Sequence, residues 1–184
     1  MKRGVAILFL SLIPAWCQVA KPSALASASL PAAKAVRIPL NAIRELERTF
    51  NYRLAGLAGA DQPTELMGDT RGIQLEDYGV VFTTEISLVV TPGLMPGRPT
   101  IPPEMAARVK VQRVARLPLL REAMKGMMRD MAAAFPQLPP GQQIVLVTRL
   151  YYGPWEDTTG MPAQIVMRAD RANAALTKVE TEER

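Results

Sequence analysis

The stretch at residues 68–93, GDTRGIQLEDYGVVFTTEISLVVTPG, decides the fold. Val80, Phe82, Thr84, Ile86, Leu88 and Val90 share one parity, and β-branched residues dominate the run. Alternation of this kind fits a pleated, half-buried surface, so it predicts a strand over 80–90 that Pro92 and Gly93 stop. Residues 73–75 offer a shorter partner strand. The two join through Glu76, Asp77, Tyr78 and Gly79 as a tight hairpin in which Gly79 supplies the unusual backbone angles.

Upstream, the period changes. Ile43, Leu46, Phe50, Leu54 and Leu57 recur every three or four residues, while Arg44, Glu45, Glu47 and Arg48 fill the intervening positions. That is one face of an amphipathic helix, with Asn41 placed to cap its first turn and Gly56 or Gly59 to end it. Downstream, the prolines of 94–103 mark an extended connector, since proline fits neither a central strand nor a helix interior. A helical region follows at 103–135. Pro118 interrupts it, which predicts a kink or two helices, one ending near Leu117 and one starting at Pro118.

Two more strands are expected at 143–152 and 163–168, separated by a Gly, Pro and Asp-rich loop. After Met167 the chain suggests a last short helix. The fold class is therefore α+β: a two-layer sandwich, with a mainly antiparallel sheet of about four strands and helices packed on one face. Helices do not alternate with every strand, which argues against a doubly wound parallel sheet.

The chain has 184 residues, about one domain. Its start, MKRGVAILFLSLIPAWCQ, places Lys2 and Arg3 before an apolar run closed by Pro14 and small residues, the layout of a secretory leader. The run is shorter than the roughly 20 apolar residues of a membrane span. The expected organisation is a signal peptide at 1–17, an Ala, Ser and Pro-rich flexible linker at 18–39, one domain at 40–178 and a charged, frayed tail at 179–184. Bulky Trp16 fits poorly beside a lipidated Cys17, so a cleaved, exported product is expected, periplasmic or secreted, with no stable membrane span.

Composition narrows the chemistry. There is no histidine, which removes Ser-His-Asp and Cys-His systems and imidazole metal sites. Beyond the linker the only serine is Ser87, inside the predicted strand and without a Gly-x-Ser-x-Gly turn. Residues 56–59, GLAG, lack the spacing of a phosphate-binding loop. No cofactor is expected. The formal charge is +5, and losing Lys2 and Arg3 lowers it by two, so basicity argues weakly for an anionic partner. Residues 103–135 carry seven Lys or Arg against three acidic residues, and in 61–90 only Arg71 offsets six acidic ones. That asymmetry fits internal or subunit complementarity as well as it fits an anionic partner.

Carboxylates and aromatics remain. Asp69, Glu85, Glu156 and Asp157 fall near strand ends, and two carboxylates about 5 to 9 Å apart could hydrolyse a glycosidic bond. Adjacent Glu156 and Asp157 instead read most simply as a solvated hairpin tip. Glu85 lies on the less buried side of its strand, where Arg149 or Arg168 could pair with it across strands. Tyr78, Tyr151, Tyr152 and Trp155 are candidate ligand contacts; the bland reading of Trp155 is a lid over the sheet end. Strand aromatics beside arginines could stack bases, but an export leader and the lack of a glycine-aromatic motif speak against nucleic acid. Met124, Met127, Met128 and Met131 could ligate Cu(I), yet they fall where the helix must bury its apolar face, so they read as core.

Two functions follow from these readings. The first is an exported, non-catalytic module binding a protein, a cell-envelope component or a second copy of itself. The alternative is a carboxylate-based hydrolase of envelope glycan or a similar polymer, with Asp69, Glu85 and Glu156 converging at the Trp155 loop.

Overall fold

In a computed structural model, which describes residues 36–59, 63–91, 101–171 and 180–184, the chain runs α1 (Leu40–Ala55), β1 (Glu65–Leu75), β2 (Gly79–Ser87), α2 (Pro103–Ala134), β3 (Gln143–Leu150), β4 (Gln164–Asp170) and β5 (Glu180–Glu183). The strands form one sheet in the order β1-β2-β3-β4-β5. Three neighbouring pairs are antiparallel and β2-β3 is parallel. A parallel pair needs a crossover of a dozen or more residues, and α2 provides it. The architecture is the expected α+β sandwich with helices on one face. It has five strands rather than about four, because the charged C-terminal residues expected to fray form β5 against β4.

The core lies between the helices and the inner face of the sheet. Val80, Phe82 and Ile86 of β2, Ile144 and Leu146 of β3, and Ile165 and Met167 of β4 are fully buried. From α1, Phe50 meets the Phe82 ring edge-on at 5.3 Å, and Phe135, just past α2, stacks on that ring at 6.3 Å. Gly72 of β1 is required here, since a Cβ would lie 2.6 Å from the Phe82 ring and 2.7 Å from Ile43.

Several local expectations change. Asn41 does not cap α1: the helix starts one residue earlier, at Leu40, after Pro39, and no side chain caps it. Its C-terminal carbonyls at Leu54 and Ala55 instead accept from the Thr64 hydroxyl. β1 is eleven residues long rather than three, starting at Glu65. Its alternation is masked in the sequence by register shifts between Leu66 and Arg71, where the strand bulges. β2 ends at Ser87, short of Val90. The hairpin turn is the one expected, with Asp77 at φ 58° and Gly79 at φ 135°. A Cβ at Gly79 would come within 1.9 Å of the Gln143 carbonyl oxygen.

Helix α2 is continuous, with Pro118 inside it, and is not divided in two. Proline removes one N–H, and the carbonyl it would have bonded belongs to Val114. Both residues are exposed, so water can reach the released carbonyl. The last short helix expected after Met167 falls mainly on 172–179, outside the described residues, as do the leader and most of the linker. Among the described residues no helix is long and apolar enough to cross a membrane.

Candidate functional site

The loop after β3, carrying Tyr151, Tyr152, Trp155, Glu156 and Asp157, closes one end of the sandwich. Its anchor is an ion pair. Glu156 sits against Arg113 of α2, with side chains 3% and 1% exposed. Arg113 Nη2 donates to Glu156 Oε1 at 2.7 Å and to the Ser87 hydroxyl at 3.2 Å, and its Nε lies against Glu156 Oε2. The Gly153 N–H also donates to Glu156 Oε1, at 2.7 Å. Arg113 thus faces both carboxylate oxygens, and the loop itself contributes the Gly153 N–H to Oε1. A planar guanidinium matches a carboxylate in this two-point manner, which fixes geometry as well as charge.

The aromatics of the loop complete the closure. The Arg113 guanidinium lies 5.1 Å from the centre of the Tyr152 ring. The Tyr152 hydroxyl donates to the Pro162 carbonyl at 2.7 Å. Burial pushes that phenol above its ordinary pKa, with Arg113 opposing and Glu156 adding to the shift. Trp155 is half-buried against the core, and its indole lies so close to Gly153 that a Cβ there would meet Nε1 at 2.9 Å. Trp155 therefore packs against the core from within its loop. Tyr151 is exposed, its N–H donating to the Ile86 carbonyl at 2.9 Å, and Tyr78 is exposed at the β1-β2 turn.

Asp157 is exposed and paired with Lys110, and its Oδ1 accepts from the Thr159 N–H at 2.9 Å. The Lys110 ammonium, then the Thr159 contacts, hold its carboxyl far below the usual carboxylate range. Asp69 lies on β1 beside an open groove of about 540 Å³ along α1, lined also by Arg44, Glu47, Arg48, Asn51 and Arg71. It accepts from Asn51 Nδ2 at 3.3 Å and pairs loosely with Arg71 at 3.7 Å. Glu85 projects from the outer face of the sheet. Asp69, Glu85 and Glu156 thus sit in an α1-side groove, on the open sheet face and inside a buried ion pair. They do not share a pocket.

The four methionines Met124, Met127, Met128 and Met131 are fully buried core residues. Among the described residues no group of three or more Asp, Glu, Cys or His could hold a metal ion.

The feature that sequence reading placed least well is the outer face of the sheet. Both helices pack on the other side, and no described element covers this one. Register aligns the outward side chains into rows across the strands. One row runs Ile73, Val81, Val145, Arg168, Glu180, and the next Arg71, Thr83, Val147, Val166, Glu182. Glu85 lies opposite Arg149 in a third, but the two close no ion pair, and Arg168 pairs with Glu182 at 3.0 Å instead. Ile73 is 56% exposed, and Val81, Val147 and Val166 are half-buried. The charges lie around this apolar centre.

Sequence reading also missed Arg113 and Arg116, both buried. Arg116 donates to the Leu88 carbonyl, and burial, then the neighbouring Arg113 charge, lowers its pKa. A signal existed: the two arginines interrupt the core stripe formed by Val109, Leu117 and Leu120. No family model, curated protein or solved structure matches this chain.

Proposed function

We propose that this chain is an exported, non-catalytic module that binds a protein or cell-envelope component through the outer face of its sheet. The observation that carries the reading is the composition of that face. The solvent side of a one-sided sheet is usually polar, yet here Ile73, Val81, Val147 and Val166 lie together across four strands with no described element over them. A contiguous exposed apolar patch with a polar rim is the mark of an interaction surface.

The charge on the rim favours a protein partner over a polyanion. Arg71, Arg149 and Arg168 are matched by Glu85, Glu180 and Glu182, so the face has no excess of one sign. The placement of the carboxylates also supports binding over hydrolysis, because Glu156 is engaged by Arg113 and lies apart from Asp69 and Glu85. Export rests on the leader-like N-terminus.

The test has two parts. Cell fractionation should recover the chain outside the cytosol with 1–17 removed; an intact leader in soluble cytosolic extract would defeat the export half. For binding, Thr83→Lys and Val166→Lys should keep the far-ultraviolet spectrum and melting behaviour while losing retention of envelope proteins on the immobilised chain. Retention equal to the parent would remove the sheet face from the proposal.

A further inference from the structure

We infer that the partner of the outer sheet face is a second copy of this chain, packed face to face about a twofold axis that runs along β3. The inference rests on the binding-face reading above and names its occupant.

One row of outward side chains is ordered by charge. From β1 to β5 it reads Arg71, Thr83, Val147, Val166, Glu182, with Val147 on the central strand. Two identical faces that meet about an axis parallel to the strands keep each row opposite itself but reverse its order. Val147 then meets Val147 of the other copy, Thr83 meets Val166, and the Arg71 guanidinium meets the Glu182 carboxylate. Opposite charges meet at both ends of the row and apolar side chains meet in the middle. An axis across the strands would set β1 on β1 and β5 on β5, bringing arginines to arginines and glutamates to glutamates. The sign of the end charges therefore chooses between the two arrangements.

The same axis reverses the neighbouring rows. In the Ile73 row, Val145 lies on the axis, Val81 faces Arg168, whose aliphatic stem can cover it while the charge stays at the rim, and Ile73 faces Glu180 at the edge. The third row sets the two Arg149 side chains near each other at the axis. Glu85, opposite Arg149 in register and in no ion pair among the described residues, supplies the compensating charge. Aligned sheet packing at about 30° keeps facing rows within reach of long side chains.

Area sets the strength. Five strands at ~4.8 Å spacing and about seven residues at ~3.3 Å give roughly 450 Å² of flat area per copy. Together the two copies cover on the order of 900 Å², below the ~1,200 Å² at which stable interfaces begin. The dimer is therefore concentration-dependent rather than permanent.

Sedimentation velocity on the purified chain, as recovered from the producing cell, should show the average mass rising toward twice the monomer as concentration increases. Thr83→Lys should weaken association at least tenfold with an unchanged circular dichroism spectrum. Register is tested by crosslinking in a Cys17→Ser background with the shortest bismaleimide. Thr83→Cys chains mixed with Val166→Cys chains should give a crosslinked dimer well above that from Thr83→Cys chains alone. A dimer that Thr83→Lys leaves intact, or stronger crosslinking of Thr83→Cys to itself, overturns the inference. A chain that stays monomeric throughout also overturns it; if Thr83→Lys still abolishes retention of another partner, the binding-face reading survives alone.

Discussion

Arg113 and Glu156 tie the loop after β3 to the middle of α2, across 43 residues of chain. Desolvating a guanidinium and a carboxylate is costly, and their mutual contact, the Ser87 hydroxyl, the Gly153 N–H and the Tyr152 ring offset it. Removing one partner leaves the other buried and uncompensated, so Glu156→Gln or Arg113→Met should each destabilise the chain by about 3–5 kcal/mol. The double variant Arg113→Met with Glu156→Met should lose less than either single change. Urea unfolding of the four chains reads this coupling, and additive losses would show that the pair acts as two independent residues. Thr148 is the opposite case. It is fully buried on β3, and its hydroxyl has no hydrogen-bond partner among the described residues. Thr148→Val keeps the shape and removes the unpaired group, so the urea midpoint should rise by the equivalent of about 1 kcal/mol.

Pro118 and β5 set the expectations at the scale of the element. α2 runs through its proline because the position is exposed, but the lost bond to Val114 remains a cost. Pro118→Ala should restore it and stabilise the chain by up to about 3 kcal/mol, checked by thermal and urea unfolding. A loss of stability instead would mean that the proline ring contributes more to the folded helix than the missing hydrogen bond costs. Ion pairs reinforce the backbone ladder that joins β5 to β4. Glu183 accepts from Arg121 of α2 at 2.5 and 2.8 Å, and Glu182 pairs with Arg184 and Arg168. Arg121 holds Glu183, and Arg184 then Arg168 hold Glu182, below the ordinary glutamate value of 4.5. Carboxylates with folded values below their unfolded ones contribute stability that is complete above the unfolded value and lost as pH falls through the folded one. Hydrogen exchange at the β4-β5 ladder should therefore accelerate below about pH 4 relative to the β2-β3 ladder, and equal acceleration in both would rule out selective release of β5.

At the scale of the whole molecule, what matters is which surfaces of the sheet stay open. A free edge offers unpaired backbone groups to any other strand. β1 is an edge, and α1 blunts it: Asn51 Oδ1 accepts from the Thr70 N–H and Glu47 Oε1 from the Gly72 N–H, both at 2.8 Å. Glu47 and Asn51 are four residues apart, so one helix face presents both acceptors. The Gln74 side chain binds the backbone entering α1, donating to the Val36 carbonyl and accepting from the Ile38 N–H. Replacing Glu47 and Asn51 together by alanine should speed exchange at the Thr70 and Gly72 amides and lower the temperature at which the chain aggregates. Unchanged exchange at both amides would mean that these side chains do not protect the edge. With that edge blunted and β5 only four residues long, the outer face is left as the broad surface that no described element covers.

Local pattern alone specifies the two-layer α+β class, the amphipathic face of α1, the β1-β2 turn at Asp77 and Gly79, and the methionine core of α2. Each is written in a local period of two or three to four residues, or in the backbone freedom of one position. Long-range packing assigns Glu156 to Arg113, makes a strand of the acidic C-terminal residues, and brings Ile73, Val81, Val147 and Val166 onto one face. Those outcomes depend on partners far apart in the chain and on strand register, which turns single outward residues on separate strands into one surface. A bulge hid the length of β1, and exposure of Pro118 let a helix pass where local rules expected a break. Periodicity specifies which side of an element is buried, but not which element buries it or what remains uncovered once the sheet is assembled.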